Sequence, residues 1–291
     1  MRRWLGALAV VVGIVAPMAA QDAPRHFLWS VRSEGGPPTY LVGSLHILTP
    51  DHYPLAPPIE RAFETSTVLV EEVDLDDLGN PLTAMSLLGR ALLTDGRTLD
   101  ELVAPDTWRL VSARAEAVRL PLTAIRRMKP WMAALALTAP ALAEAGFRAE
   151  LGVDRHFFDR AKARDMERRA LETVAFQLER LDQMPPEVQE GMLKAVIADL
   201  DTQLANVKAI AGAWATGDVR TLERMLLAAF LESPAMYERL LVDRNRTWLT
   251  PITTCVEKGE RCFVVVGAAH LVGPHSVVAL LEARGYRVEQ H

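Results

Sequence analysis

The chain has 291 residues, half of them hydrophobic and 24% charged, with 32 Lys and Arg set against 37 Asp and Glu. That is enough apolar material for a substantial core in one large domain or two small ones, and it excludes an intrinsically disordered chain. The formal charge of −5 is spread along the chain with no basic tail or block, so nothing calls for a nucleic-acid partner.

Arg2 and Arg3 precede an apolar run from Leu5 to Val15, and Ala19 and Ala20 follow it, the pattern of a secretory signal peptide. A spanning helix needs roughly 20 apolar residues, and Ala16-Pro17 interrupts this run well before that. Cleavage after Ala20 is expected, with an uncleaved anchor as the alternative. The mature chain, 21–291, then loses two arginines and carries −7. It has no stable membrane span and is expected in the periplasm or outside the cell.

The mature chain opens with Phe27 to Val31 and Thr39 to Val42 about Gly35-Gly36-Pro37-Pro38, which reads as a hairpin. An amphipathic helix from Pro58 to Glu64 and an apolar strand from Thr67 to Val73 follow. From about 81 to 258 the pattern is almost wholly helical. Leu87-Leu88, Ala91-Leu92 and Leu99 form a first apolar stripe, and Pro105 to Val118 a helix with proline in its opening turn. Pro130 to Ala143 reads as a buried helix with Trp131 in the core, and Val153 to Ala163 as an amphipathic one. Arg169 to Leu171 is a short candidate strand. Leu193, Val196, Ile197, Leu200, Leu204 and Val207 make one long stripe of the kind that packs into a core.

Cys262 to Val266 is a further strand, Ser276 to Arg284 a helix and Tyr286 to Glu289 a last strand. The expected fold is therefore α/β. Sheet segments from both chain ends form its centre, and the helical middle, 81–258, is inserted into a single domain spanning 21–291.

The only two cysteines, Cys255 and Cys262, bracket a short turn at Lys258-Gly259-Glu260. In an exported protein such a pair is expected to be bonded, contributing roughly 2 to 3 kcal/mol in the chain-entropy model. As metal ligands they lack the further ligands of a structural zinc site, and no reactive-cysteine context surrounds them.

The most informative feature is an internal echo. Val42-Gly43-Ser44-Leu45-His46, running on to Pro50, matches Val266-Gly267-Ala268-Ala269-His270, running on to Pro274, at a constant offset of 224. Each Gly-x-x-His follows a strand-like run and precedes a helix, which suggests neighbouring units related by an approximate two-fold. Glycine at a strand end permits close approach that a side chain would block, and the carboxyl ends of strands are where open α/β sheets bind ligands. Imidazole is the commonest metal ligand and titrates near neutrality. His46 and His270 are thus candidates for one shared ion. His52, His156 and His275 lack a matching turn and read as ordinary surface histidines, His275 as a possible rim residue. Ser44 has no base other than His46.

A carboxylate would complete a metal triad with a position left for water. Glu71 and Glu72 both end the strand at Val70, and alternation sends them to opposite faces, so one of the two can join the histidines.

The order of Leu28-Trp29, Gly43-x-x-His46, Glu72-Val73-Asp74, Lys129-Pro130-Trp131, Gly152-Val153-Asp154, Leu171-Glu172-Thr173, Arg244-Asn245 and Gly267-Ala268-Ala269-His270 resembles the TraB/GumN family over nearly the whole mature chain. Its TIKI-type relatives are metal-dependent proteases that use two Gly-x-x-His motifs and a glutamate. The resemblance therefore implies that His46, Glu72 and His270 are metal ligands or, for Glu72, the base, with manganese, cobalt or zinc as the ion. Glu72 matches because it immediately precedes Val73-Asp74. Asp154 is implied as an orienter of a histidine, and Arg244, with Asn245, as a second-rank or substrate-binding position.

The reading is an exported metal-dependent hydrolase acting on a peptide or small-molecule amide or ester. The wider group also includes erythromycin-esterase-like and ChaN-like proteins; the latter, linked to haem, leave open a haem or metal binder without catalysis, and GumN, named for a polysaccharide gene cluster, leaves open an envelope polysaccharide assembly factor.

Overall fold

The computed structural model describes residues 25–231 and 233–291; the expected signal peptide and its cleavage point lie outside the described residues. The β-branched runs form six strands: β1 Leu28–Arg32, β2 Thr39–Ser44, β3 Val68–Glu71, β4 Glu167–Ala170, β5 Cys262–Gly267 and β6 Arg287–Gln290. They make one sheet ordered β4-β3-β5-β2-β1-β6. β4, β3, β5 and β2 run parallel, while β1 is antiparallel to both β2 and β6. The fold is mixed α/β as expected, and the two chain ends interleave, since β5 enters between β3 and β2. Every β5 residue up to Val266 is buried, which is why this strand reads as an unbroken apolar run.

The longer helices are α1 Pro57–Glu64, α2 Pro81–Ala91, α3 Pro105–Ala117, α4 Pro130–Glu144, α5 Val153–Ala163, α6 Val174–Asp182, α7 Pro186–Ala198, α8 Leu200–Ala215, α9 Val219–Leu231, α10 Asp243–Glu257 and α11 Val277–Glu282. Five of these open on proline, which costs nothing there because the first N–H groups of a helix have no intrahelical acceptor. α5 lays Phe157 against Phe63 of α1 and Phe263 of β5, with ring centroids 4.9 and 4.7 Å apart. The main core is built on both sheet faces, and Trp131 is buried as expected. A second apolar cluster, with Leu99, Val111, Ile125, Leu137 and Leu193, lies among the helices alone.

Two expectations change. The long stripe from Leu193 to Val207 is two helices, because Asp199 accepts from the backbone N–H of Thr202 at 3.0 Å and starts a new one as its cap. The candidate strand at Arg169 to Leu171 is present as β4, begun two residues earlier, at the edge of the sheet. Of the first stripe, Ala91 and Leu99 are buried but Leu88 is 57% exposed. Among the described residues, no helix is long and apolar enough to cross a membrane.

Candidate active site

Because β2 and β5 are parallel neighbours, both Gly-x-x-His turns leave the same edge of the sheet. Their register is staggered: Gly43 pairs with Val266, and Ser44 with Gly267. The pairing is thus one residue out of step with the sequence echo, and the two histidines do not occupy equivalent places. His46 lies in an irregular turn with 66% of its side chain exposed. His270, in the 3-10 turn Ala268–Leu271, is buried against the Trp248 ring, 4.3 Å between centroids.

The glycines make the approach possible. A Cβ at Gly43 would overlap the Phe27 ring at 2.1 Å and stand 3.1 Å from the Cα of Ala268. One at Gly152 would meet the carbonyl oxygen of His46 at 2.5 Å. This lets the start of α5 close on the first turn, where the Val153 N–H donates to the Leu45 carbonyl at 3.1 Å. Asp154 thereby reaches the Nδ1 of His46 at 2.7 Å and accepts from the Ser44 hydroxyl at 3.0 Å. Ser44 is in this way committed to Asp154.

α10 and β5 bring the rest together. They are antiparallel, joined by the turn between Cys255 and Cys262, whose sulfurs are bonded with Cα atoms 6.1 Å apart. From Arg244 to Cys255 the helix rises about 16 Å, and from Cys262 to Gly267 the strand rises about 16 Å. The matched lengths return Arg244 and Asn245 to the level of Gly267. A π turn, Glu238–Val242, leads into α10, and Arg244 donates back to the Leu240 carbonyl at 3.0 Å.

Around Gly267 the groups converge. A Cβ there would lie 3.2 Å from Glu72 Oε1, 3.5 Å from His270 Cδ2 and 3.9 Å from His46 Nε2. Glu72 Oε1 accepts from the Gly267 N–H at 2.6 Å, and Oε2 accepts from Arg244 and Gln177 at 2.6 and 2.8 Å. Arg244 also donates to Glu172, through Nε at 3.0 Å and Nη2 at 2.6 Å, and to His270 Nε2 at 3.1 Å. All five of its N–H groups are engaged within the protein. Asn245 Oδ1 faces His270 Nδ1 at 2.5 Å, and its amide donates to the His275 carbonyl at 2.8 Å. Glu172, Gln177 and Trp248, which donates to Glu172 at 3.1 Å, are members of this network that no periodicity marks. Glu172 alone carries a signal, its place in the Leu171-Glu172-Thr173 motif.

The two histidines carry opposite charge preferences. Crowding by the cleft walls pulls the His46 imidazole down although its side chain is largely open to solvent, but its hydrogen bond to Asp154 and the charges of Asp154 and Glu72 outweigh that, raising its pKa to about 9. Burial, with Arg244 and His46 as positive neighbours, drives His270 down to about 3 against the pull of Glu72. Burial works against ionised Glu72 too, yet Arg244, His46 and the Gly267 N–H hold it down at about 2.

Glu71 and Glu72 both border the cleft, a cavity of about 560 Å³ also lined by Ser44, His46, Asp154 and Leu78. Both border it because it lies at the open ends of the strands. Only Glu72 touches the histidine network. Glu71, 4% exposed with Oε1 unpartnered, is pushed up to about 9 by burial and by Asp154 and Asp74.

The donor set suits a divalent ion. Each imidazole has Nδ1 held by an oxygen acceptor, which fixes the orientation of the ring; His270 Nε2 lies 3.8 Å from Glu72 Oε1 and accepts from Arg244 at 3.1 Å, so that guanidinium would have to yield before the nitrogen could ligate. His46 stands further out, its exposed ring held through Nδ1 by Asp154. Among the described residues, the one trio of His, Cys, Asp or Glu donors already within 4.8 Å of one another is Cys255, Glu260 and Cys262. Its sulfurs are bonded to each other, so it offers no thiolate. His156, expected at the surface, is half-buried 3.3 Å from Glu60; His275 is exposed.

Comparison with known proteins agrees with the motif order. The family model described as TraB/PrgY/gumN matches residues 27–290. The uncharacterized protein YbaP of Shigella flexneri is 22% identical over 260 residues, 88% of this chain and 94% of its own, and YbaP of Escherichia coli K12 matches equally. Metalloprotease TIKI2 of Danio rerio is 33% identical over 105 residues, 35% of this chain and 20% of its own length. No solved structure matches significantly.

Proposed function

The chain belongs to the TraB/PrgY/gumN family, and from that premise we propose that it is an exported hydrolase cutting an amide or ester bond with a divalent ion held by His46, Glu72 and His270. The observation that carries the reading is the convergence of one carboxylate and two imidazoles on the space left by the missing side chain of Gly267. The similarity to TIKI metalloproteases over a third of the chain supports the same reaction class. The signal-like N-terminus and the Cys255–Cys262 bond support export.

A bound ion would supply an activated water and polarise the scissile carbonyl; manganese, cobalt and zinc all suit nitrogen and carboxylate donors. The chain's own groups do the positioning. Asp154 orients His46, Asn245 orients His270, and Arg244 with Gln177 and the Gly267 N–H fixes the Glu72 carboxylate. His46, charged in the free site, gives up its proton before Nε2 ligates or accepts a proton.

Elemental analysis of the purified mature protein, paired with hydrolysis of peptide and ester substrates before and after chelation, tests the reading. Stoichiometric metal and activity restored by adding it back are expected. Hydrolysis that survives complete metal removal would sink the metal role and leave the His46–Asp154 pair as the base.

A further inference from the structure

Helix α2 turns an apolar face outward. Leu82, Met85 and Leu88 are 75%, 69% and 57% exposed, and Leu78 in the preceding turn is 53% exposed. These are four of the six exposed large hydrophobics among the described residues, gathered within eleven positions, and no residue from Leu78 to Gly89 is charged. Single exposed leucines are ordinary; a contiguous row marks a contact surface.

The row is continuous with the cleft. Leu78 is both its first member and part of the cleft wall, beside Leu75 and Val73. α2 packs on α6, and α6 carries Gln177, which holds Glu72. Lys162 and Arg168 pin Asp76 of the intervening turn. The ridge is therefore fixed relative to the candidate catalytic groups.

Resting on the hydrolase reading, we propose that this ridge is the docking track for an apolar segment of a polypeptide substrate whose backbone passes Leu78 into the cleft. Leu82 to Leu88 spans about 9 Å of helix, the length of about three residues of extended chain, so anchors on the ridge match side chains of a strand. Met85 adds an adaptable contact suited to varied sequences. A small molecule would fill the cleft and leave the ridge bare. Asp77 and Glu150, exposed at the rim, oppose docking on an anionic bilayer.

The test uses two synthetic twelve-residue peptides, one with a central run of leucine and valine and one with serine and threonine there, together with a small chromogenic ester. The variant Leu82→Ser/Met85→Ser/Leu88→Ser changes only exposed side chains. We expect the apolar peptide to bind more tightly than its polar counterpart, and the triple variant to weaken it on the order of tenfold or more while ester hydrolysis is unchanged. Equal binding of the two peptides, or unchanged binding by the variant, would overturn the proposal. So would loss in the variant of adhesion to phosphatidylcholine vesicles or of self-association in sedimentation, with peptide binding intact. If the wild type binds the apolar peptide but cleaves neither peptide nor ester, the track stands and the hydrolase reading falls.

Discussion

Arg244 Nη1 lies 3.1 Å from His270 Nε2, and because a guanidinium only donates, the imidazole meets it with a lone pair. His270 is therefore neutral, with its proton on Nδ1 facing Asn245 Oδ1 at 2.5 Å. Nitrogen-15 spectra of the chelated protein should show this one tautomer at every pH down to about 4, since the group titrates near 3. A His270 signal that titrates between pH 6 and 7 would contradict it.

His46 should behave in the opposite way. Its pKa is raised to about 9, so the charged form is favoured by the fold. Stability from this group is fully present below the unfolded pKa near 6.5 and is lost as pH rises through about 9. Asp154→Asn removes the charge and leaves at most a weaker, neutral acceptor for Nδ1. The His46 pKa should fall, and the decline in stability between those pH values should flatten. A titration curve for His46 unmoved by the substitution would show that Asp154 is not the cause.

Arg244 is the cation between two buried carboxylates, 2.6 Å from each. Arg244→Met should destabilise the protein by about 3 to 5 kcal/mol, because Glu72 and Glu172 are left facing one another unpaired. Glu172→Gln keeps Arg244 paired with Glu72 and should cost less. Urea denaturation of the two variants decides the order.

Activity should disappear in His46→Ala and Glu72→Gln with the fold retained, the first because its side chain is exposed, the second because Glu172 still pairs Arg244. His270 calls for a milder change: it is buried on Trp248, so His270→Ala would also open a cavity, and His270→Asn is the cleaner variant. Full activity in folded His46→Ala would end the shared-site reading.

Replacing both Cys255 and Cys262 by alanine should lower stability by about 2 to 3 kcal/mol, read as a reduced urea midpoint. No change would mean that the unfolded chain gains nothing from the opened loop.

Much of this was legible in sequence for identifiable reasons. Strand and helix types follow from local periodicity, and the Cys255–Cys262 bond from spacing. Gly43, Gly267, His46 and His270 stand out through repetition, and Asp154, Arg244 and Asn245 through motif order. The insertion of β5 between β3 and β2 is a long-range pairing with no local signature. The one-residue stagger of β2 against β5 likewise has no signature in either segment. Gln177 is one polar residue on an otherwise ordinary helix and gains meaning only when α6 is placed beside Glu72. The exposed face of α2 reads as core because apolar spacing alone does not say which side is covered.

The hairpin of α10 and β5 works as a lever. Its fulcrum is the sulfur bond at one end, and its two arms, matched at about 16 Å, carry Arg244 and Asn245 on one tip and Gly267 on the other. Pro251 lies within the helical arm and has no N–H to close the ladder there, so that arm lacks one rung partway along. A small angular play at the fulcrum would be amplified at the tips, where hydrogen bonds tolerate only tenths of an ångström. Reducing the bond would then blur the alignment of the cleft well before it unfolded the chain.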